Sequence, residues 1–243
     1  MTENQLTAED FSKLRNKCLE IGGAVESNRM KMEKKFSDFD PKKDIRISSF
    51  GHLLTTINSA ILTLTYFCQY LMKKEWWFAY INESYSESTI VKKVNRYSWY
   101  GRASLFHFTF STFESTTRLI LRALDSSACK NGTAEFKSIY SCLLRNKLSE
   151  YPESSLEFVD LLRCIRNTIH NNGIYFHHRF QQEQVVWKRK EYNFIFGQPV
   201  AYTNWDFCLL LVDEMRKLLE IIIDDENVKM IDMEITDPMA VIS

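Results

Sequence analysis

Leu156-Glu-Phe-Val-Asp-Leu-Leu-Arg-Cys-Ile-Arg-Asn-Thr-Ile-His-Asn-Asn-Gly173 reads as a helix with two unlike sides and a built-in stop. Phe158, Leu161, Leu162, Ile165 and Ile169 recur at spacings of three and four, which puts them on one apolar face. Arg163, Arg166, Asn167 and His170 fall elsewhere on the cylinder. Asn171-Asn172-Gly173 supplies residues that tolerate a left-handed backbone, so the helix is expected to end there with His170 in its last turn. Helix geometry separates Arg166 from His170 by roughly 40° and 6 Å, and Asn167 from His170 by roughly 60° and 4.5 Å. Cation, amide and imidazole can therefore meet one small ligand, and Arg163, about 10.5 Å back along the axis, can reach the same anion. The negative end of the helix dipole is expected to favour the imidazolium form of His170.

Outward from this segment the periodicity is mostly helical. Thr7 is a candidate cap for a helix over residues 7–38, with Phe11, Leu14, Cys18 and Ile21 on one face and Gly22-Gly23 as a candidate bend. No Lys, Arg, Asp or Glu lies between Arg46 and Lys73. That run is long enough to raise a membrane span, but Thr55, Thr56, Asn58, Ser59, Thr63, Thr65 and Gln69 interrupt it and favour a central buried helix. From Glu87 to Asp125 a broad apolar stripe returns, with Tyr100-Gly101 as a candidate break and Glu114 and Arg118 spaced for a surface ion pair. A short helix over 134–146 and a capping turn at Tyr151-Pro-Glu-Ser-Ser precede the key segment. After it, β-branched and aromatic runs from Val185 and Tyr192 predict a hairpin across 184–203, and Thr203 or Asn204 caps a last helix to Asp224. The reading is mainly α: a helical bundle with a small β-hairpin inserted before the C-terminal helix. Residues 225–243 read as an acidic, loosely held tail.

Composition narrows the function. The 243 residues, 45% hydrophobic and 14% aromatic, suffice for one substantial core. A net charge of zero gives no whole-molecule attraction to nucleic acid, so any polyanion site has to be local. The N-terminal residues carry neither a basic nor an apolar leader region, and the six cysteines are scattered without a Cys-x-x-Cys pair; both point to reduced thiols in a cytoplasmic protein. Seven dispersed glycines form no dinucleotide or nucleoside-triphosphate loop. His177-His178 lacks a carboxylate or cysteine at ligand spacing, so no metal and no cofactor is expected.

Arg166-Asn167-Thr168-Ile169-His170-Asn171-Asn172-Gly173, with Arg163 upstream in a helical chain, resembles the motif of the HEPN superfamily (higher eukaryote and prokaryote nucleotide-binding domains). The resemblance covers less than a tenth of the sequence and fits in two registers. Arg163 stands six residues before His170 but precedes Cys164; Arg166 precedes Asn167 but stands three residues before His170. It implies one helical domain over 1–243, with residues 1–47 as an extension, and a metal-independent endoribonuclease working as a homodimer with a composite site. Arg166, Asn167, His170 and Arg163 would be catalytic. His170 would move the proton, an arginine would hold the phosphate, and the product would end in a 2′,3′-cyclic phosphate. His177, His178, Arg179, Lys188, Arg189 and Lys190 would bind RNA, with Tyr175, Phe176 and Trp187 for stacking. A solvated hairpin turn is the other reading of Lys188 to Lys190. Bacterial defence or toxin systems, with an antitoxin or regulatory partner, are the setting implied. The alternative is an inactive module of the same type that binds RNA, nucleotide or protein.

Overall fold

The computed structural model describes residues 6–128, 135–177, 181–200 and 203–241. Chain order gives α1 (Ala8–Lys35), α2 (Ile45–Tyr66) running on through a π-turn at Phe67–Leu71, α3 (Lys74–Tyr80) and α4 (Glu87–Leu124). There follow α5 (Phe136–Cys142) with a π-turn at Leu143–Lys147, α6 (Ser154–His170), β1 (Glu183–Trp187), β2 (Lys190–Phe194), α7 (Trp205–Asp224) and α8 (Glu226–Lys229). This is the expected helical bundle with a two-stranded antiparallel hairpin ahead of the last long helix.

Local chemistry sets the boundaries. Thr7 and Asp10 form a reciprocal capping box, each side chain bonding the other's backbone N–H, and Asn204 accepts from Phe207 N at the start of α7. Neither expected glycine break occurs. α1 passes through Gly22-Gly23, and α4 runs unbroken through Gly101 for 38 residues. Gly101 marks a close approach instead: a Cβ there would stand 3.2 Å from Thr63 and 3.3 Å from Trp205, so its missing side chain lets α2 and Trp205 pack on α4. In the hairpin, Lys188 and Arg189 have φ of 49° and 62°, the positive pair that a two-residue turn requires to match strand twist.

α2 with its π-turn, Ile45–Leu71, is the one helix among the described residues long and apolar enough to cross a membrane. Its Phe50, Leu53, Ile57, Ala60, Leu64 and Phe67 are buried in the shared core, the position expected of a central helix. α1 packs along α2 and α7, burying Phe11, Leu14, Cys18, Val25 and Met32, so residues 1–47 contain a core element where an extension was expected.

The acidic tail is also a correction. Asp225 is buried and accepts bonds from the Ser149 N–H and hydroxyl at 2.8 and 2.6 Å. Asp237, 1% exposed, accepts from the Ser48 hydroxyl at 2.6 Å and meets His52 at 2.7 Å. Arg46 is fully buried. It bonds both carboxylate oxygens of Asp44 at 2.9 and 2.6 Å, donates to the carbonyls of Ile231 and Met233 at 3.0 Å, and lies between the rings of Phe36 and Phe39. Two of the segment's carboxylates, Asp225 and Asp237, thus have partners inside the bundle.

Removing Arg46 would leave the Asp44 carboxylate buried without its main partner, which costs about 3–5 kcal/mol. Arg46→Ala is expected to lose that much in urea unfolding, and Arg46→Lys to lose a large part of it because an ammonium cannot form the planar fork. A loss below about 1 kcal/mol for Arg46→Ala contradicts this account.

Candidate functional site

α6 is held by its apolar side. Phe158, Val159, Leu161, Leu162 and Ile165 are buried, each contributing on the order of 1.5–3 kcal/mol, while Ile169 is half-buried. No side chain caps its first turn; the Tyr151-Pro152 turn leads in through a Ser155 N–H bond to the Pro152 carbonyl. Its end follows the sequence: Asn172 and Gly173 have φ of 55° and 89°, and Gly173 N–H reaches back to Thr168 O at 2.9 Å. The chain then turns away at His170 and pairs Ile174 with Pro199.

The side of α6 that the core leaves free opens into a cleft of 610 Å³. Arg163, Arg166, Asn167, His170 and Asn171 line it from α6, Phe110 and Glu114 from α4, Glu135 to Lys137 from the start of α5, and Phe176 and His177 from the segment after α6. The expected convergence of Arg163, Arg166, Asn167 and His170 is present. The two arginines are in different states, however.

Arg163 is committed to structure. Its Nη2 donates to Glu183 Oε2 at 2.7 Å and its Nε to Asp160 at 3.4 Å, and its side chain is only 18% exposed. Glu183 also accepts from the Cys164 thiol at 2.9 Å and faces His177 Nε2 at 3.2 Å. Burial alone would raise the Glu183 carboxyl, but Cys164 and Arg163 hold it down at about 2. Burial pushes the Cys164 thiol well up, so it stays protonated and can donate. Arg166 has no carboxylate within ion-pair distance among the described residues and donates from Nη1 to Asn167 Oδ1 at 3.4 Å. It is the guanidinium left for an anion.

His170 departs from the dipole expectation. Partial burial first, then the Arg166 guanidinium, then His107, lower its pKa, opposed by the more distant Glu114. That shift favours the neutral imidazole, the form that can accept a proton. The dipole effect of the last turn is outweighed by partial burial together with the positive charge one turn away. His107 on α4 was not legible as a site residue, yet its ring lies edge-on to His170 with centroids 5.2 Å apart. Glu114 forms the expected pair with Arg118 at 3.0 Å and also faces the cleft, a role its spacing did not indicate.

The expected RNA-binding set divides. His177 lines the cleft, while His178 and Arg179 lie outside the described residues. Lys188, Arg189 and Lys190 do not line it: they make the hairpin turn and β2's first residue, where Lys188 pairs with Glu214 of α7 at 2.7 Å and Lys190 lies over Tyr192. The solvated-turn reading fits them. Of the expected stacking rings, Tyr175 and Trp187 are buried in the core, whereas Phe176 is 44% exposed and lines the cleft. Among the described residues no group of three or more His, Cys, Asp or Glu side chains is arranged to hold a metal ion.

Comparison with known proteins returns no match to a family model, a curated protein or a solved structure.

An NMR titration of His170 is expected to give a midpoint below the ordinary histidine value, moving upward in Arg166→Ala. Because the folded-state pKa is the lower one, the unfolded chain binds the proton first, so this group erodes stability as pH falls below about 6.5 and has no effect well above it. An unshifted or raised midpoint contradicts the arrangement.

Proposed function

We propose that the chain is a metal-independent endoribonuclease of HEPN type, acting at a site composed from two copies of the chain. The observation that carries the reading is Arg166, Asn167 and His170 opening into one cleft, with Arg163 neutralised behind them. A neutral His170 is suited to take the proton from a ribose 2′-hydroxyl. The 2′-oxygen then attacks phosphorus, the bond to the 5′-oxygen breaks, and Arg166 balances the charge that accumulates on the pentacovalent phosphorane. Asn167 orients a non-bridging oxygen. The departing 5′-oxygen takes up the proton that His170 removed, which returns the imidazole to its neutral form. The products are a 2′,3′-cyclic phosphate and a 5′-hydroxyl. Such an activity fits a defence or toxin system held in check by a partner, in a cytoplasmic setting.

One observation favours a second reading. The arginine at the family spacing, Arg163, is the one sealed by Glu183 and Asp160, as expected of a module that keeps the architecture and binds RNA without cutting it.

In EDTA, the purified chain is expected to cleave single-stranded RNA and leave cyclic-phosphate ends. His170→Ala should lower the rate by about 10²–10⁴-fold and Arg166→Ala by about 10²–10³-fold. Neither residue is buried or ion-paired, so each variant should melt within a few degrees of the parent. Light scattering should give a dimer. No cleavage of a mixed RNA pool in EDTA removes the enzyme; RNA binding that persists, weakened by Arg166→Ala, selects the second reading.

A further inference from the structure

The cleft ends on α4, and α4 does not end at the cleft. Between Glu87 and Glu114 this helix has no acidic residue, while it carries Lys92, Lys93, Arg96 and Arg102, in a chain whose net charge is zero. At 100° per residue, Lys92, Arg96, Trp99, His107, Phe110 and Glu114 fall within an arc of about 80°, a single stripe. Two contacts orient that stripe. His107 lies against His170, and Trp99 Nε1 stands 4.0 Å from where a Cβ on Gly173 would be, so Trp99 is beside the left-handed end of α6. Beyond it α6 has turned away, and Lys92 and Arg96 are exposed, with no carboxylate in ion-pair range among the described residues.

We propose that this stripe is a second binding site, a track that holds a single RNA strand on one side of the cleft. The inference rests on the ribonuclease reading only in taking the cleft as the place of the scissile phosphate. Lys92 and Arg96 contact backbone phosphates, and Trp99, half-buried against Gly173, offers a fixed ring for a base. From His107 to Lys92 the helix rises about 22 Å, enough for several nucleotides beyond the reacting one. This run of positive charge also supplies what the overall composition lacks, a local attraction for a polyanion. A folded protein partner would need an exposed apolar centre, and of the stripe's two apolar rings Phe110 is buried, which leaves Trp99 alone.

The test uses the full chain carrying His170→Ala, so that RNA stays intact, and the fluorescence anisotropy of a labelled single-stranded RNA of about a dozen nucleotides. Adding Lys92→Ala and Arg96→Ala together should weaken binding about tenfold and flatten the slope of log affinity against log salt by about 1.4, the value for two lost phosphate contacts. Trp99→Leu should weaken binding about tenfold, with Trp99→Phe restoring most of it, a pattern that loss of packing alone would not give. The exposed pair Lys34→Ala and Lys42→Ala, at the end of α1 and just before α2, serves as the charge control and should change neither quantity. If Arg166→Ala weakens binding while the Lys92/Arg96 pair leaves affinity and salt slope unchanged, the track is overturned and the cleft reading stands. If the RNA does not bind at all, both fall. If the pair abolishes binding to vesicles of anionic phospholipid and leaves RNA binding unchanged, the stripe is a membrane contact and the proposal is overturned.

Discussion

A helix that must seal one side and expose cations on the other works only if its rotation about its own axis is fixed. In α6 the burial of Phe158, Leu161, Leu162 and Ile165 fixes it, because turning all four into solvent would cost about 6–12 kcal/mol, comparable with a domain's whole margin of stability. Everything in the cleft follows from that rotation. It presents Arg166, Asn167 and His170 to the opening and brings Arg163 against β1, where Glu183 neutralises it. Two guanidiniums three residues apart would otherwise repel; with one paired, the field in the cleft is dominated by the other.

That division of labour explains the state of His170. A helix C-terminus favours the charged ring; partial burial first, and then the unpaired Arg166, disfavour it. The buried Cys164 belongs to the same balance, since its protonated thiol is a second donor to the Glu183 oxygen that accepts from Arg163.

How far the sequence reached depended on the range of the interactions involved. Thr7, Asn204, the Asn171-Asn172-Gly173 stop and the hairpin rest on partners within a few residues, and short-range chemistry is written in order along the chain. The convergence of Arg163, Arg166, Asn167 and His170 was legible for the same reason, being a property of one helix. His107 was not: a lone histidine between Leu105, Phe106 and Phe108 reads as core, and only the packing of α4 on α6 shows what it meets. The acidic C-terminal region misled because charge ordinarily means solvent; Asp225 and Asp237 are buried through Ser149, Ser48 and His52, 76 to 189 residues away. Gly101 misled similarly, since a helix breaker by propensity becomes a packing device when a tryptophan from α7 fills the space.

The shell around Arg46 has a bearing on how the protein is made. Its guanidinium finds carbonyl oxygens 182 to 187 residues later in the chain. During synthesis the first half of the bundle emerges long before Met233, so the start of α2 must keep that cation hydrated while its apolar neighbours wait for cover. A nascent chain therefore spends most of its translation with this corner unsealed, and it is there that a chaperone would find its longest opportunity.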